Sequence, residues 1–199
     1  LVGGEPRILE GHQGNVNSVA FLSDGTLASA GQDAAVILWA PEGNAAPVRV
    51  AMPAPLTVLA VLAGDRLLAG CVDGKLYELD RTGAVRREVA VFHGPLTALA
   101  ATDDGKYLAV AAIRGGIALL DTETLRTVRS FDTANIPVWS LAFRPGDGTL
   151  MAGGTDRIVH EWDIETGRRL GSATAGEADP MSNYARNPDA EVYRACIAC

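Results

Sequence analysis

Long hydrophobic runs are absent from this chain of 199 residues. The longest near-continuous apolar stretch, Leu56 to Ala63 with Thr57 inside it, has eight residues. A membrane-spanning helix needs ~20, so a spanning helical segment is excluded. A basic cluster is missing too: 24 acidic residues stand against 17 basic ones, a net charge of −7. Nucleic-acid binders present Lys/Arg stripes instead, which argues against that class of partner. Aromatics are scarce, with four Phe, four Tyr and three Trp, so a core must come from small aliphatic side chains. At 48% apolar residues there is enough of them,. No Gly-x-Ser-x-Gly, phosphate loop or His-Glu-x-x-His element occurs, which removes the enzymes that depend on them. The chain starts at Leu1 without a charged-then-apolar leader, and any targeting signal is expected to be removed or to lie outside it. What is abundant is glycine, 22 residues, the mark of many tight turns.

Those turns recur at a fixed beat. Four segments end alike, at Ile37-Leu38-Trp39-Ala40, Tyr77-Glu78-Leu79-Asp80, Ala118-Leu119-Leu120-Asp121 and Glu161-Trp162-Asp163, in steps of 40, 41 and 42 residues. A second anchor, around Val19, Leu59, Leu99 and Leu141, steps by 40, 40 and 42. Between the anchors each copy reads strand, turn, strand. The first turns are Ser23-Asp24-Gly25, Ala63-Gly64-Asp65, Asp103-Asp104-Gly105 and Gly146-Asp147-Gly148, and Asp-Gly pairs supply the positive φ of a tight hairpin. A second short apolar strand follows, then a turn at Gln32-Asp33, Val72-Asp73-Gly74, Arg114-Gly115-Gly116 or Thr155-Asp156, then the strand that runs into the common ending. A more polar fourth strand closes each unit, at Val48–Val50, Val85–Val89, Arg126–Arg129 and Arg168–Leu170. No helical period of 3.6 runs through these units. Four short strands per ~40 residues predict propeller blades, an all-β fold.

Gly11-His12, followed 27 residues after the histidine by Trp39, resembles a WD40 repeat, as does the Trp162-Asp163 ending of the fourth copy. The resemblance implies a buried network of the Gly-His histidine, a strand Ser/Thr, the turn Asp and the strand Trp, here His12, Ser29, Asp33 and Trp39, each polar group finding a partner. The second and third copies lack the Gly-His and the Trp; Asp73 is kept, and His93 reads as a displaced remnant. Such propellers usually close with about seven blades, within a range of roughly 4–8. Arg7-Ile8-Leu9 stands where a fourth strand belongs, without its first three. The expected organisation is therefore an outer strand of an upstream blade over 1–10 and four repeats over 11–172, a piece of a larger ring.

From about Gly171 the beat stops, and 173–188 read as a linker rich in small and polar residues,. Asn187-Pro188-Asp189 predicts a turn whose aspartate caps a short C-terminal helix running into Cys196-Ile197-Ala198-Cys199,. By itself a Cys-x-x-Cys pair is open to four meanings: covalent haem attachment when His follows, half of a zinc site, a redox dithiol, or coincidence. Residues 189–199 resemble the first helix of small c-type cytochromes, and the whole chain resembles WD-repeat and cytochrome c fusions. That resemblance implies thioether links from Cys196 and Cys199 to haem c, an axial His at the position after Cys199, electron transfer to a protein partner, and a periplasmic location. The alternative is a non-catalytic WD40 scaffold that docks a protein.

Other polar residues have structural explanations. His160 shares a strand face with Ile158 and Trp162 by the period of two, so it is expected to pack there and not to bind iron. Asp33, Asp73 and Asp156 sit where carboxylates accept turn amides. Cys71, beside a turn between apolar strands, reads as an inert buried thiol. Met181 lies upstream of the cysteine pair, unlike the distal methionine of small cytochromes. Gly31, Gly70, Gly153 and Gly154 serve strand ends. No convergent acid, base or nucleophile is visible, so enzymatic chemistry within the repeats is not expected.

Overall fold

The computed structural model describes residues 8–41, 45–114, 116–146 and 148–174. They form sixteen strands in four antiparallel sheets, each with its strands side by side in chain order. Blade 1 holds β1 (Val16–Phe21), β2 (Leu27–Gly31), β3 (Ala35–Trp39) and β4 (Val48–Ala51). Blade 2 holds β5 (Leu56–Leu62), β6 (Arg66–Cys71), β7 (Lys75–Leu79) and β8 (Val85–Ala90). Blade 3 holds β9 (Leu96–Ala101), β10 (Tyr107–Ala112), β11 (Ile117–Asp121) and β12 (Thr127–Phe131). Blade 4 holds β13 (Val138–Arg144), β14 (Thr149–Gly154), β15 (Ile158–Asp163) and β16 (Arg169–Thr174). No helix occurs among the described residues, hence none able to cross a membrane. Residues 8–10 take no strand, and Arg7 lies outside the described residues. The described residues are all-β, as the repeat predicts, and among them the four sheets close no ring.

Three apolar cores lie between successive blades rather than within them. The middle strands of blades 2 and 3 are therefore covered on both faces. Unlike β14 and β15, which are partly exposed, β3, β6, β7, β10 and β11 are almost wholly buried. This is why these strands read as continuous aliphatic runs instead of alternating ones. Leu67, Leu79, Leu108 and Leu120 are fully buried, and each contributes about 2 kcal/mol relative to exposure. Alanines at 28, 30, 69, 109, 111 and 152 let the sheets approach. The outer strands β4, β8 and β12 keep most side chains in water, which explains their Arg and Glu.

Two details depart from the sequence expectation. β16 runs on to Thr174, pairing Ile158 with Thr174 and Val159 with Ala173, so 173 and 174 belong to blade 4 and not to a linker. Small, polar residues suit an outer strand whose ladder is supplied by β15 and whose other edge faces solvent. In addition, every inner strand carries a β-bulge, at Asn17, Thr57, Thr97 and Trp139. A bulge re-aims its side chain. Asn17 Nδ2 donates to the Leu56 carbonyl at 2.7 Å and Thr97 Oγ1 to that of Val138 at 2.5 Å, each bridging to the next blade.

The linker from 175, the capped helix, Met181, Cys196 and Cys199 lie outside the described residues.

Candidate functional site

In blade 1 a polar chain runs from strand to turn. Trp39 Nε1 donates to Ser29 Oγ at 2.8 Å, and Ser29 Oγ lies 2.8 Å from His12 Nε2. A carboxylate only accepts, so the His12 ring proton sits on Nδ1, facing Asp33, and Nε2 accepts the serine proton,. His12 Nδ1–H then donates to Asp33 Oδ1 at 2.9 Å. The second carboxylate oxygen accepts the Gln13 amide at 2.9 Å and Arg49 Nη2 at 2.8 Å, while Arg49 Nη1 donates to the Gly11 carbonyl. Burial opposes charge on Asp33, but hydrogen bonds from Gln13, His12 and Arg49 outweigh it and hold the carboxyl far below the usual range,.

Gly31 makes room for this chain. A Cβ there would stand 2.9 Å from the Asn15 carbonyl and Asp33 Oδ1 and 3.0 Å from His12 Nδ1. The matching strand ends are Cys71 in blade 2, Ala112 in blade 3 and Gly154 in blade 4. The two blades with a side chain at this position lack a histidine chain, and the two with glycine have one. Cys71 instead fills the space in blade 2, buried, its thiol pushed up to about 12 chiefly by that burial. Tyr77 packs in the same core, its buried Oη without a hydrogen-bond partner, and burial raises its pKa. Asp73, unlike Asp33, accepts only the Lys75 amide at 3.1 Å, and His93 is exposed and joins no network among the described residues.

Blade 4 builds a different chain. His160 is buried and its Nε2 meets Asp156 Oδ2 at 2.6 Å, while Arg169 donates to Nδ1. The arginine fixes the tautomer, so Nε2–H donates to the carboxylate. Asp156 also accepts the Ile158 amide at 3.2 Å. Burial resists its charge, but the His160 and Ile158 hydrogen bonds prevail and lower its pKa. The Trp162 ring lies 5.8 Å from His160. The period of two places His160 beside Trp162, but the Asp156 and Arg169 contacts were not foreseen, because Arg169 arrives from a strand paired out of simple register.

The aspartates that end the third strands cap turns. Asp80, Asp121 and Asp163 each accept both the amide and hydroxyl of a following threonine, Thr82, Thr124 and Thr166, at 2.6–2.9 Å. The Asp-x-x-Thr spacing of two copies was the available signal.

Charged residues also join blades. Glu78 is buried and held by Arg66 Nε at 2.5 Å and by Arg87 Nε. Both guanidiniums reach across to blade 3, Arg66 to the Thr122 carbonyl and Arg87 to those of Glu123 and Thr122. Burial would raise the Glu78 pKa, yet the two arginines lower it. Arg129 repeats the reach into blade 4, donating to Glu165 and Thr166 carbonyls. At the β6 and β7 positions of the triad, however, blade 3 has Tyr107 and Leu119. Without the triad a cleft of about 750 Å³ opens between blades 3 and 4. Lys106, Tyr107, Leu119, Phe143, Arg144 and Ile164 line it, with carboxylates at its rim, and Lys106 Nζ sits 4.9 Å from the Tyr107 ring centre.

Comparison with known proteins bears on the repeats. The family described as WD domain, G-beta repeat, matches residues 3–40 and 125–163. The chain carries WD40 repeats. WD repeat-containing protein SL1-17 of Schistosoma mansoni is 32% identical over 168 residues, covering 80% of this chain and 54% of that protein. An uncharacterized WD repeat-containing protein of Synechocystis sp., sll1491, is 35% identical over 100 residues, 50% of this chain and 28% of that one. The U3 small nucleolar RNA-associated protein 4 homolog of Homo sapiens is 26% identical over 107 residues, 52% and 16%. The chain thus spans about half the length of the first of these and less of the others. The two matched segments hold the first three strands of blades 1 and 4, and the second also takes in the outer strand β12 of blade 3. Blades 1 and 4 are the ones with a glycine at the β2 or β14 end and a buried histidine chain, though only Gly31 stands against its histidine; Gly154 stands against Pro137 and Ile136.

Proposed function

We propose that these WD40 repeats act as a non-catalytic scaffold that holds a protein partner. The cleft between blades 3 and 4 carries this reading. Rigid strands set Tyr107 and Phe143 beside Lys106 and Arg144 there, and aromatic and cationic groups on a firm frame are what protein interfaces concentrate. The polar chains support it: His12, Asp33, His160, Asp156 and Glu78 spend their hydrogen bonds on strands, turns and neighbouring blades. Peptides selected from a random library on the purified chain test the idea. Clones should lose tenfold or more in affinity to Lys106→Glu and Tyr107→Ala variants that retain the native circular dichroism. Clones that bind both variants unchanged would remove the cleft from the mechanism.

A second reading rests on the sequence of the tail. Cys196-Ile197-Ala198-Cys199 after a helix-like run-in favours a haem c domain following the repeats, making the protein a periplasmic electron carrier with a redox partner. Both cysteines lie outside the described residues, so this reading stands on resemblance alone. Cys196 and Cys199 would hold the porphyrin by thioether bonds, and the haem would supply one-electron transfer. The intact protein made with haem-maturation machinery should keep its haem through acid–acetone extraction, and the Cys196→Ser, Cys199→Ser variant should lose it. Complete extraction from the natural protein would end this reading.

A further inference from the structure

One position of the repeat meets the preceding blade at all three interfaces inside the chain. It is the residue after the strand-ending aspartate, Arg81 in blade 2, Thr122 in blade 3 and Ile164 in blade 4. At the first two interfaces a guanidinium sits there. Arg81 Nη2 donates to the Asp24 carboxylate of blade 1 at 2.6 Å. The Thr122 carbonyl accepts Arg66 Nη2 of blade 2 at 2.5 Å.

At the third interface both arginines are gone and their acceptors stay. Thr102-Asp103-Asp104-Gly105 repeats the turn of Leu22-Ser23-Asp24-Gly25, each glycine amide donating to the first carbonyl. Asp104 Oδ1 accepts the Lys106 amide at 3.0 Å, as Asp24 Oδ1 accepts that of Thr26 at 2.9 Å. Ile164 replaces Arg81, however, so no arginine of blade 4 reaches Asp104. Tyr107 replaces Arg66, and among the described residues nothing donates to the Ile164 carbonyl. Asp104, Tyr107 and Ile164 all line the cleft of about 750 Å³. The cations beside it are engaged elsewhere. Arg129 donates to the Glu165 and Thr166 carbonyls, Arg144 pairs with Glu161 at 3.2 Å, and Lys106 rests on the Tyr107 ring.

We propose that this cleft receives an arginine side chain of a protein partner, in the place that Arg81 and Arg66 fill at the other two interfaces. The inference rests on the docking reading above and names the group that is docked. The guanidinium donates to the Asp104 carboxylate and the Ile164 carbonyl, and its aliphatic stem lies on Leu119, Phe143 and the Tyr107 ring. Arginine suits this better than lysine, because its planar fork serves two acceptors at once and stacks on an aromatic face. Asp103, Asp163 and Glu165 at the rim and the net charge of −7 favour a basic segment,. Lys106 braces the Tyr107 wall, so its loss also weakens binding.

Peptides selected on the purified chain, labelled and titrated by fluorescence anisotropy, test this. Cleft binders, recognised by their loss of affinity on Tyr107→Ala, should share an arginine. Its replacement by citrulline, which keeps the shape and removes the charge, should cost about tenfold or more. Asp104→Asn, whose amide oxygen still caps the turn, should cost a similar factor for the arginine peptide. It should cost less than about twofold for the citrulline peptide, because the two changes remove the same contact. Ile164→Arg, which restores the guanidinium of blade 2, should fill the slot and abolish binding while circular dichroism stays native. Cleft binders without arginine, or citrulline peptides as tight as their parents, overturn the guanidinium and leave the docking reading standing. Equal losses to citrulline in the natural chain and in Asp104→Asn put the guanidinium elsewhere and overturn it too. Peptides indifferent to Tyr107→Ala and Lys106→Glu remove the cleft, and both readings with it.

Discussion

Replacing Asp33 with alanine isolates the polar chain of blade 1, because the repeat supplies its own control. Asp33 and Asp73 occupy the same turn position, yet Asp33 accepts His12, Gln13 and Arg49 while Asp73 accepts one exposed amide. The bond that faces the interior is from His12, whose side chain is only 6% exposed, and a hydrogen bond to a charged acceptor contributes about 1.5–3 kcal/mol. Water can replace the acceptor for Gln13 and Arg49, so each of those losses is about 0.5 kcal/mol. Asp33→Ala should therefore cost about 3 kcal/mol, a large share of the ~5–15 kcal/mol of a native domain. Asp73→Ala should cost less than about 0.5 kcal/mol, as surface substitutions usually do. Asp33→Asn should fall between them. Its oxygen can accept Gln13 and Arg49 while its amide donates to His12, provided the histidine changes tautomer and donates to Ser29 instead. Urea unfolding followed by circular dichroism and by tryptophan fluorescence, which includes Trp39, measures all three. Equal losses for Asp33→Ala and Asp73→Ala would refute the assignment of stability to the chain.

Gly31→Ala should destabilise by about 2 kcal/mol despite alanine's better strand entropy, since its Cβ meets Asp33 and His12 and breaks a buried hydrogen bond,; the unfolding free energy from urea titration should fall by that amount relative to the natural chain, and an unchanged value would refute it. Asp33 and Glu78 both titrate below their unfolded values of about 4,. Their contribution is thus whole above that pH and lost as the pH falls through the lower folded values. Unfolding free energy should drop from about pH 4 downward, and Asp33→Ala and Glu78→Gln should each flatten the decline; an unchanged slope in both would contradict it. Cys71, buried with a thiol pushed up to about 12, should resist a thiol reagent at neutral pH in a Cys196→Ser, Cys199→Ser background and react once urea unfolds the chain. Rapid labelling of the folded protein would show the core around Cys71 to be open.

The strand order and blade boundaries were legible because a repeat of about 40 residues states each element four times. Every sheet pairs neighbours along the chain, so local pattern and topology coincide. The end of β16 was not legible, since Gly171-Ser172-Ala173-Thr174 has no apolar period and owes its strand to the ladder offered by β15. Resemblance grouped His12, Ser29, Asp33 and Trp39, but only the tertiary structure gives the direction of their hydrogen bonds and the room left by Gly31. It alone brings Arg169 to His160 and carries Arg66 and Arg87 from Glu78 to blade 3. Arg87 and Arg169 lie on strands whose offsets depend on bulges, and a bulge shifts which side chains meet without changing the residue pattern around it. Periodicity along the chain determined what the units are. The stacking of one sheet on the next decided which polar groups are buried together, where a triad closes the interface, and where Tyr107 and Leu119 leave it open.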